Sequence, residues 1–253
     1  MSLLLDQWPL LLIVCFGIFI QSAAGFAAGL LIVPAMLWLG YLIPESQTAL
    51  LVATIPQNIW GVWSFRDSIS PRQVVFPGFL RLLFLPIGVW VLVHLESFPV
   101  VVLRQIVGGF VVAATLAIMI FRPQPRERLH PFWTWVAFPA SGFFQGIVGM
   151  GGPAMVFWVQ AHDWGTRQAR AFLFAMYLIG VMPALVILYL FFGDRVIAPA
   201  VVTSALLPLL LLATHWGLRF GTWLGRRRLR RVTLVLLLLM GISGLASPWL
   251  TPD

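Results

Sequence analysis

Ten long apolar segments run through this chain and constrain its fold more than any other feature. Most of them reach or approach the roughly 20 residues that a helix needs to cross a hydrocarbon core of about 30 Å. Hydrophobic residues make up 60% of the sequence and charged residues only 9%, a balance that a soluble domain cannot carry on its surface. The sequence therefore predicts an all-α integral membrane protein. The segments are 8–24, 27–41, 47–65, 74–94, 101–121, 132–148, 152–162, 170–192, 197–218 and 232–249.

Four of these segments are short and stand in two pairs, each divided by glycine. The first pair is 8–24 with 27–41, and the second is 132–148 with 152–162. Helices interrupted at membrane depth are a recurring feature of transporters, where the interruption lines a cavity inside the protein. We therefore predict glycine-broken or re-entrant short helices at the start of each half of the chain.

Arginine supplies all 16 basic residues, so the positive-inside rule can be tested by counting arginines on each face of the membrane. With ten elements, thirteen arginines fall on one face, Arg104 and Arg195 fall on the other, and Arg81 lies within a segment. If each split pair is treated as one long helix, the chain has eight spans, with six arginines on one face and nine on the other. The asymmetry that the positive-inside rule requires is then lost. We therefore favour ten elements, with both termini on the extracytoplasmic side.

A landmark near the first helix break recurs in the second half of the chain. The sequence Gln-Ser-Ala-Ala-Gly at 21–25 is echoed by Gln-Gly-Ile-Val-Gly at 145–149, an offset of 124. We therefore predict two repeats, 1–125 and 126–253, each with about five helical elements. Because five is odd, the second repeat enters the membrane from the opposite side, which gives the inverted repeat typical of secondary transporters.

Glycine-rich motifs divide both short pairs and are the sharpest local feature. Glycine permits positive φ and close backbone approach, and proline suits the first turn of a helix. Helices should therefore restart at these points, and two facing helix starts, with two glutamine amides as added donors, would bind an anion. The alternative is close helix packing through small residues. The predicted binding residues are Gln21, Gly25 and Gly29 in the first half and Gln145, Gly149, Gly151, Gly152 and Pro153 in the second.

Charged residues within the apolar segments are basic, not acidic. None of the eight acids lies in a segment, whereas cation and metal transport generally require negatively charged oxygen ligands at depth. Arg81 lies about two turns inside 74–94, where it either faces an anion or snorkels to the headgroups. Arg170 opens 170–192 and either meets an incoming anion or marks the arginine-rich face.

Two amide side chains, Gln57 and Asn58, follow Pro56 within an apolar segment. A proline kink frees backbone groups and turns neighbouring side chains toward a cavity. Thr54 shares the face of Asn58 because the two residues are four apart in a helix. We predict that these residues line a pathway, with an interhelical hydrogen bond as the equal alternative.

Other classes of protein are disfavoured by the groups that the sequence lacks. A single cysteine, Cys15, excludes a disulfide within the chain, and the sequence holds no Cys/His cluster, HExxH motif or GxSxG elbow. The arginines interrupt apolar runs and form no soluble basic face, so nucleic acid is not an expected partner. We therefore expect no enzymatic activity, no cofactor and no bound metal.

The stretches GFAAGLLIVPAMLWLG at 25–40 and SGFFQGIVGMGGPAMVFWV at 141–159, and the Arg170-Ala171 pair after them, resemble the sulfite exporter TauE/SafE family of bacterial membrane proteins. The resemblance covers nearly the whole chain and its two-half arrangement. It implies export of small sulfur oxyanions or organosulfonates, such as sulfite and sulfoacetate. Ala27-Ala28 stand where many members have further glycines, so the two sides of the anion site need not be equally tight.

The residues and the resemblance together predict a secondary transporter that works by alternating access. An oxyanion would be held between the glycine turns while the two halves rock around it. A channel for anions or small solutes, or a transporter of another small carboxylate or sulfonate, is not separated from this prediction by sequence. The expected partners are a small-molecule anion and the lipid bilayer, and a homodimer is left open.

Overall fold

The chain folds as an all-helical protein, as the sequence predicts. A computed structural model describes residues 8–24, 27–121, 123, 125–126, 129–224 and 226–250. Within these ranges, three helical stretches are long and apolar enough to cross a membrane: Pro71–Leu95, Val100–Ile120 and Thr166–Ala205.

Eleven helices of nine or more residues make up most of the described chain. They are α1 (Trp8–Ala24), α2 (Ala28–Trp38), α3 (Ile43–Phe65), α4 (Pro71–Leu95), α5 (Val100–Ile120), α6 (Phe132–Val148), α7 (Gly152–Gln160), α8 (Thr166–Phe192), α9 (Ile197–Ala205), α10 (Leu207–Leu224) and α11 (Arg226–Leu245). Two 3₁₀ turns, Arg66–Ser68 and Gly193–Val196, and a terminal turn at Ser247–Leu250 complete the described helical residues.

Several helices begin before the apolar segments that predict them. Before α3, Glu45 Oε2 accepts a hydrogen bond from the backbone N–H of Leu42 at 2.6 Å. Before α4, Gln73 Oε1 accepts one from the backbone N–H of Ser70 at 3.2 Å. Such caps satisfy N–H groups that a helix start leaves unpaired. Hydropathy marks the part of a helix in lipid, whereas the cap sets where the helix begins.

Both short pairs are broken helices, as predicted. The chain leaves helical geometry between α1 and α2 and again between α6 and α7. In the second break Gly149 has a φ of 70°, and Pro153 occupies the first turn of α7. In the first break an alanine, Ala27, takes the left-handed conformation, with a φ of 97°. A Cβ atom makes this conformation costly, so the first break is strained where the second is not.

The apolar segment 197–218 predicts one element, and that prediction is wrong. The structure ends α9 at Ala205 and begins α10 at Leu207. Pro208 accounts for the division, because it has no N–H to donate to the carbonyl of Ser204, four residues earlier.

Four helix pairs pack most extensively in the described part of the chain: α4 with α6, α1 with α10, α5 with α11 and α3 with α8. In the two predicted repeats, α1 corresponds to α6, α3 to α8, α4 to α9 and α10 together, and α5 to α11. Exchanging corresponding helices therefore turns the pair α4–α6 into the pair α10–α1. The pairs α5–α11 and α3–α8 are each turned into themselves. A two-fold relation between the halves would give this pattern. The division into repeats at 125 and 126, and their inverted orientation, stay predictions.

Glycines allow the equivalent pairs to approach closely. A Cβ atom on Gly88 of α4 would collide with the carbonyl oxygen of Phe143 in α6, and one on Gly217 of α10 would collide with that of Phe19 in α1. Any larger residue at either position would force the helices apart.

Ion pairs join residues at the ends of three helices, at one end of the bundle. Arg195, in the turn after α8, donates to both carboxylate oxygens of Glu96 at 2.9 and 3.1 Å and to Glu45 at 3.2 Å. At the other end, the backbone N–H of Arg126 donates to the carbonyl of Ala161 at 3.0 Å. The bundle therefore separates the start of α3, at Glu45, from the loop at Arg126, as the ten-element arrangement requires. Which end faces the cytoplasm stays a prediction.

Candidate functional site

The two helix breaks touch in the interior of the bundle. A Cβ atom on Gly29, in the first turn of α2, would lie 2.8 Å from the carbonyl oxygen of Gly149 and 3.6 Å from Cγ of Met150. The glycine motifs predict this approach. The small-residue packing considered as the alternative is present at the same place, because the missing side chain of Gly29 is what allows the breaks to meet.

Each glutamine of the repeated motif caps the short helix that follows it. Gln21 Oε1 accepts a hydrogen bond from the N–H of Ala28 at 3.2 Å, and Gln145 Oε1 accepts one from the N–H of Gly151 at 3.3 Å. The sequence predicts both amides as donors to an anion. In the structure the carbonyl half of each amide is engaged, which leaves the NH₂ half as the donor. The caps also fix the geometry of the two breaks.

A cavity of about 60 Å³, the central cavity, lies where the breaks meet. This volume is several times the roughly 10–15 Å³ that a cavity needs to hold one water molecule, so the cavity admits a few waters or one compact anion. Its walls come from α1 to α4, from α6 to α8 and from both breaks, and no acid is present among the described residues that line it. The polar side chains in its wall are Gln21, Thr54, Arg81, Gln145 and Tyr177.

Arg81 of α4 is buried in the wall of the central cavity, with 3% of its surface exposed. Its Nη1 donates to the carbonyl oxygen of Met176 at 2.6 Å, and its Nη2 donates to Gln145 Oε1 at 3.4 Å. Snorkelling to the headgroups, one of the two sequence alternatives, is therefore wrong. Within the described ranges Nε has no partner and no carboxylate pairs with the guanidinium. Neutral carbonyl groups are its hydrogen-bond partners, so its charge remains to attract an anion.

Tyr177 of α8 is a cavity residue that the sequence reasoning missed. Its ring centroid lies 5.9 Å from Cζ of Arg81. A Cβ atom on Gly152 would lie 2.8 Å from its hydroxyl oxygen, so the hydroxyl reaches the first turn of α7. Tyrosines of membrane proteins concentrate at the two interfaces. Tyr177 lies seven residues after Arg170, inside the apolar segment 170–192, and its position away from an interface therefore indicated a functional role.

Gln47 is a second polar residue that the sequence reasoning did not single out. It lies on α3 with 1% of its surface exposed, and its Nε2 donates to the carbonyl oxygen of Gly146 at 3.2 Å. This hydrogen bond ties α3 to the end of α6, directly before the second break. A Cβ atom on Gly149 would lie 2.8 Å from Cγ of Gln47, so the glutamine also limits what residue the break accepts.

The structure brings most, but not all, of the predicted residues together. Gly151 lies outside the lining, where its carbonyl oxygen accepts a hydrogen bond from the hydroxyl of Ser141 at 2.7 Å. Gly25 lies outside the described residues. Those that line the central cavity are Gln21, Gly29, Arg81, Gln145, Gly149, Gly152 and Pro153.

Gln57 and Arg170 line a separate cavity of about 70 Å³, the second cavity, between α1, α3, α8 and α10. Asn58 lines neither cavity. It is fully buried, and neither Oδ1 nor Nδ2 has a hydrogen-bond partner in the described part of the chain. The structure therefore does not join these three residues to the glycine turns, although they and the central cavity share the helices α3 and α8.

Electrostatically, the central cavity is suited to an anion. The N–H groups of Gly29 and Leu30 fall in the first turn of α2, where no carbonyl lies four residues back within the helix. Each helix start carries about half a positive charge, and Arg81 adds a full one. With no acid among the described lining residues, the site presents roughly two positive charges to its contents.

Apolar helices of membrane-spanning length, two helix breaks that touch, and a cationic cavity between them define this protein as a multi-pass membrane protein of the transporter class. The family described as sulfite exporter TauE/SafE matches residues 10–244, nearly the whole chain. The chain belongs to this family, which is one of membrane exporters for sulfite and related anions. No curated protein and no solved structure matches the chain.

Proposed function

We propose that this protein exports a small divalent sulfur oxyanion, with sulfite as the best-fitting example, and that the anion binds in the central cavity. The observation that carries the proposal is the buried guanidinium of Arg81, which shares the cavity with two helix starts and with no acid among the described lining residues. Membership of the sulfite exporter family supports it.

The size of the cavity favours a compact substrate. Sulfite has only four heavy atoms, and the cavity has a volume of about 60 Å³, a few times what a single water molecule requires. A longer organosulfonate such as sulfoacetate fits only if the walls move apart. We therefore rank sulfite above sulfoacetate as the substrate.

The charge of the cavity favours a divalent anion over a monovalent one. Burial of an anion away from water is costly unless positive charge and hydrogen-bond donors compensate it. The guanidinium of Arg81 and the two helix starts sum to roughly two positive charges. A sulfite dianion balances this charge, and a monocarboxylate leaves about half of it uncompensated.

The transport step that we propose is alternating access in the bacterial inner membrane, with both termini extracytoplasmic. Two halves related by inversion would rock around the central cavity. The reciprocal packing of α4 with α6 and of α1 with α10 supports two such halves. Ion pairs of Arg195 with Glu45 and Glu96 join helix ends at the end of the bundle opposite the arginine-rich face.

A channel for anions, or a transporter of another small carboxylate or sulfonate, is the competing function. Flux measurements separate them. A carrier shows saturable counterflow, in which unlabelled sulfite on one side of the membrane accelerates movement of labelled sulfite from the other. Single-channel currents in a planar bilayer would show a channel instead.

Efflux of radiolabelled sulfite from proteoliposomes tests the proposed function. We expect Arg81→Gln to lower the efflux rate at least tenfold, because a charge-assisted contact to the anion is lost. We expect Gln145→Ala to lower it as well. Arg72→Gln, which removes an exposed arginine of the same helix, is the matched control.

The variants are compared only where gel filtration shows the wild-type profile, so that misfolding is separated from loss of transport. Wild-type efflux by folded Arg81→Gln protein would contradict the proposal. Arg81→Lys is the second variant. Lysine keeps the charge but does not reach both the carbonyl of Met176 and the amide of Gln145, so we expect intermediate efflux.

A further inference from the structure

The second cavity contains polar groups that the fold leaves without partners. Gln57 is 4% exposed and Thr214 is 7% exposed, and both side chains line the cavity. Within the described chain, neither Gln57 Oε1 nor Thr214 Oγ1 has a hydrogen-bond partner. Buried polar atoms in proteins are normally paired, and an unpaired one in a cavity indicates a solute or water that pairs with it.

A single charged group, Arg170, lies among the described residues that line this cavity. It is exposed, and no ion pair to it forms within the part of the chain that the structure describes. Phe65 and Phe174 stack beside it with ring centroids 6.3 Å apart. The cavity therefore combines an exposed cation, an aromatic wall and two unpaired polar atoms in a largely apolar lining.

The second cavity and the central cavity lie along the same helix faces. On α8, Arg170 and Phe174 line the second cavity, whereas Tyr177 and Val181 line the central one. These four positions are spaced by four, three and four residues, so they share one face of the helix. At 1.5 Å of rise for each residue, Arg170 and Tyr177 are about 10 Å apart along α8.

Helix α3 connects the cavities in the same way. Thr54 lines the central cavity, and Gln57 and Gly61 line the second one. Asn58 lies one turn from Thr54 on the same face of α3. It is fully buried, with both amide atoms unpaired among the described residues. An unpartnered amide thus lies on α3 between Gln57 and Gly61, at the level of the second cavity.

We propose that the second cavity is a second binding site for the same sulfur oxyanion, which occupies it between the arginine-rich face and the central cavity. Arg170 and the hydroxyl of Thr214 bind the anion. Gln57 pairs with the anion through its NH₂ group, or through Oε1 with a water that the anion retains. This proposal rests on the proposed function, because the ligand is the same.

Equilibrium binding of radiolabelled sulfite to the purified full-length protein tests the second site. We expect two sites in the wild type. Arg170→Gln and Thr214→Val should each abolish one of them and raise the half-saturating concentration for efflux from proteoliposomes by about tenfold, because each removes one hydrogen-bonded contact to the anion. Arg81→Gln should abolish the other.

The chain offers matched controls for both changes. Thr203 is also fully buried, and within the described residues its hydroxyl is also without a partner, but it lines neither cavity. Thr203→Val should therefore keep both sites, and so should Arg72→Gln.

The outcomes separate this proposal from the proposed function. One site that survives Arg170→Gln and Thr214→Val but is lost in Arg81→Gln overturns the second site and leaves the proposed function standing. Wild-type binding and efflux in folded Arg81→Gln protein contradicts the proposed function instead. The second site is supported if the wild type binds sulfite at two sites and if Thr214→Val and Arg170→Gln remove the same one of them.

Discussion

The carbonyl oxygen of Gly149 lies 2.8 Å from the point that a Cβ atom on Gly29 would occupy. Gly29 and Gly149 are 120 residues apart in the sequence, and the two helix breaks are in contact because one side chain is absent. This contact brings the starts of α2 and α7 to the central cavity. It also makes the cavity sensitive to the addition of a single methyl group at Gly29.

Gly29→Ala should destabilise the protein by about 1–3 kcal/mol and reduce sulfite efflux, because the new methyl group meets a backbone carbonyl that cannot rotate away. Gly78→Ala is the matched control, since the nearest atom to its Cβ is 3.8 Å away. The control should be neutral or stabilise α4 by up to about 1 kcal/mol. Thermal unfolding in detergent measures both. Equal stability of the two variants would show that the breaks tolerate separation.

Ala27→Gly should stabilise the protein. The left-handed conformation of Ala27, with a φ of 97°, costs an L-residue about 1–2 kcal/mol. Glycine removes that cost but gives the unfolded chain more freedom, worth about 0.4–1 kcal/mol. We expect a net gain of about 0.5–1 kcal/mol, seen as a higher unfolding temperature in detergent. Ala27→Val, with a branched side chain at the same φ, should lower that temperature. A lower unfolding temperature for Ala27→Gly would contradict the strain inferred at Ala27.

Tyr177→Phe should weaken sulfite binding by up to about tenfold while the unfolding temperature changes little. The substitution removes the hydroxyl at the start of α7 and keeps the ring beside Arg81, so one hydrogen bond to the anion is lost. The half-saturating concentration for efflux measures the effect. Tyr189→Phe, at an exposed position of the same helix, is the control and should match the wild type. An unchanged half-saturating concentration in Tyr177→Phe would remove the hydroxyl from the site.

Ser97→Cys and His130→Cys should label from opposite sides of the membrane. Both residues are exposed, one at the end of the bundle that holds Arg195 and the other at the end that holds Arg126. With Cys15 replaced by serine, a membrane-impermeant maleimide applied to intact spheroplasts should modify Ser97→Cys alone. Modification of His130→Cys after lysis is the control. The reverse pattern would invert the proposed orientation.

Hydropathy located the helices well because burial in lipid acts on every residue of a span. It did not predict the break at Leu206, since an apolar run hides the effect of Pro208 on the hydrogen bonds of the helix. It also placed helix starts too late at α3 and α4, where Glu45 and Gln73 cap the chain outside the apolar run.

The candidate site was predictable where a local rule determines it. Glycine and a repeated glutamine, with a following proline in the second half, indicate a helix restart from a few neighbouring residues, and the structure has both restarts. The fate of Arg81 was not predictable in this way. Whether a long side chain snorkels or turns inward depends on the neighbours that it meets, here the carbonyl of Met176 and the amide of Gln145.

The sequence by itself determined that this chain spans the membrane, that its helices break at two glycine motifs and that its apolar segments carry no acid. These properties follow from composition and from contacts within a few residues. Only the tertiary structure decided that the breaks touch, that Tyr177 lines the central cavity and that Gln57 and Arg170 line a second one. A cavity is the space left between helices that are distant in sequence, and its shape depends on which face each helix turns inward.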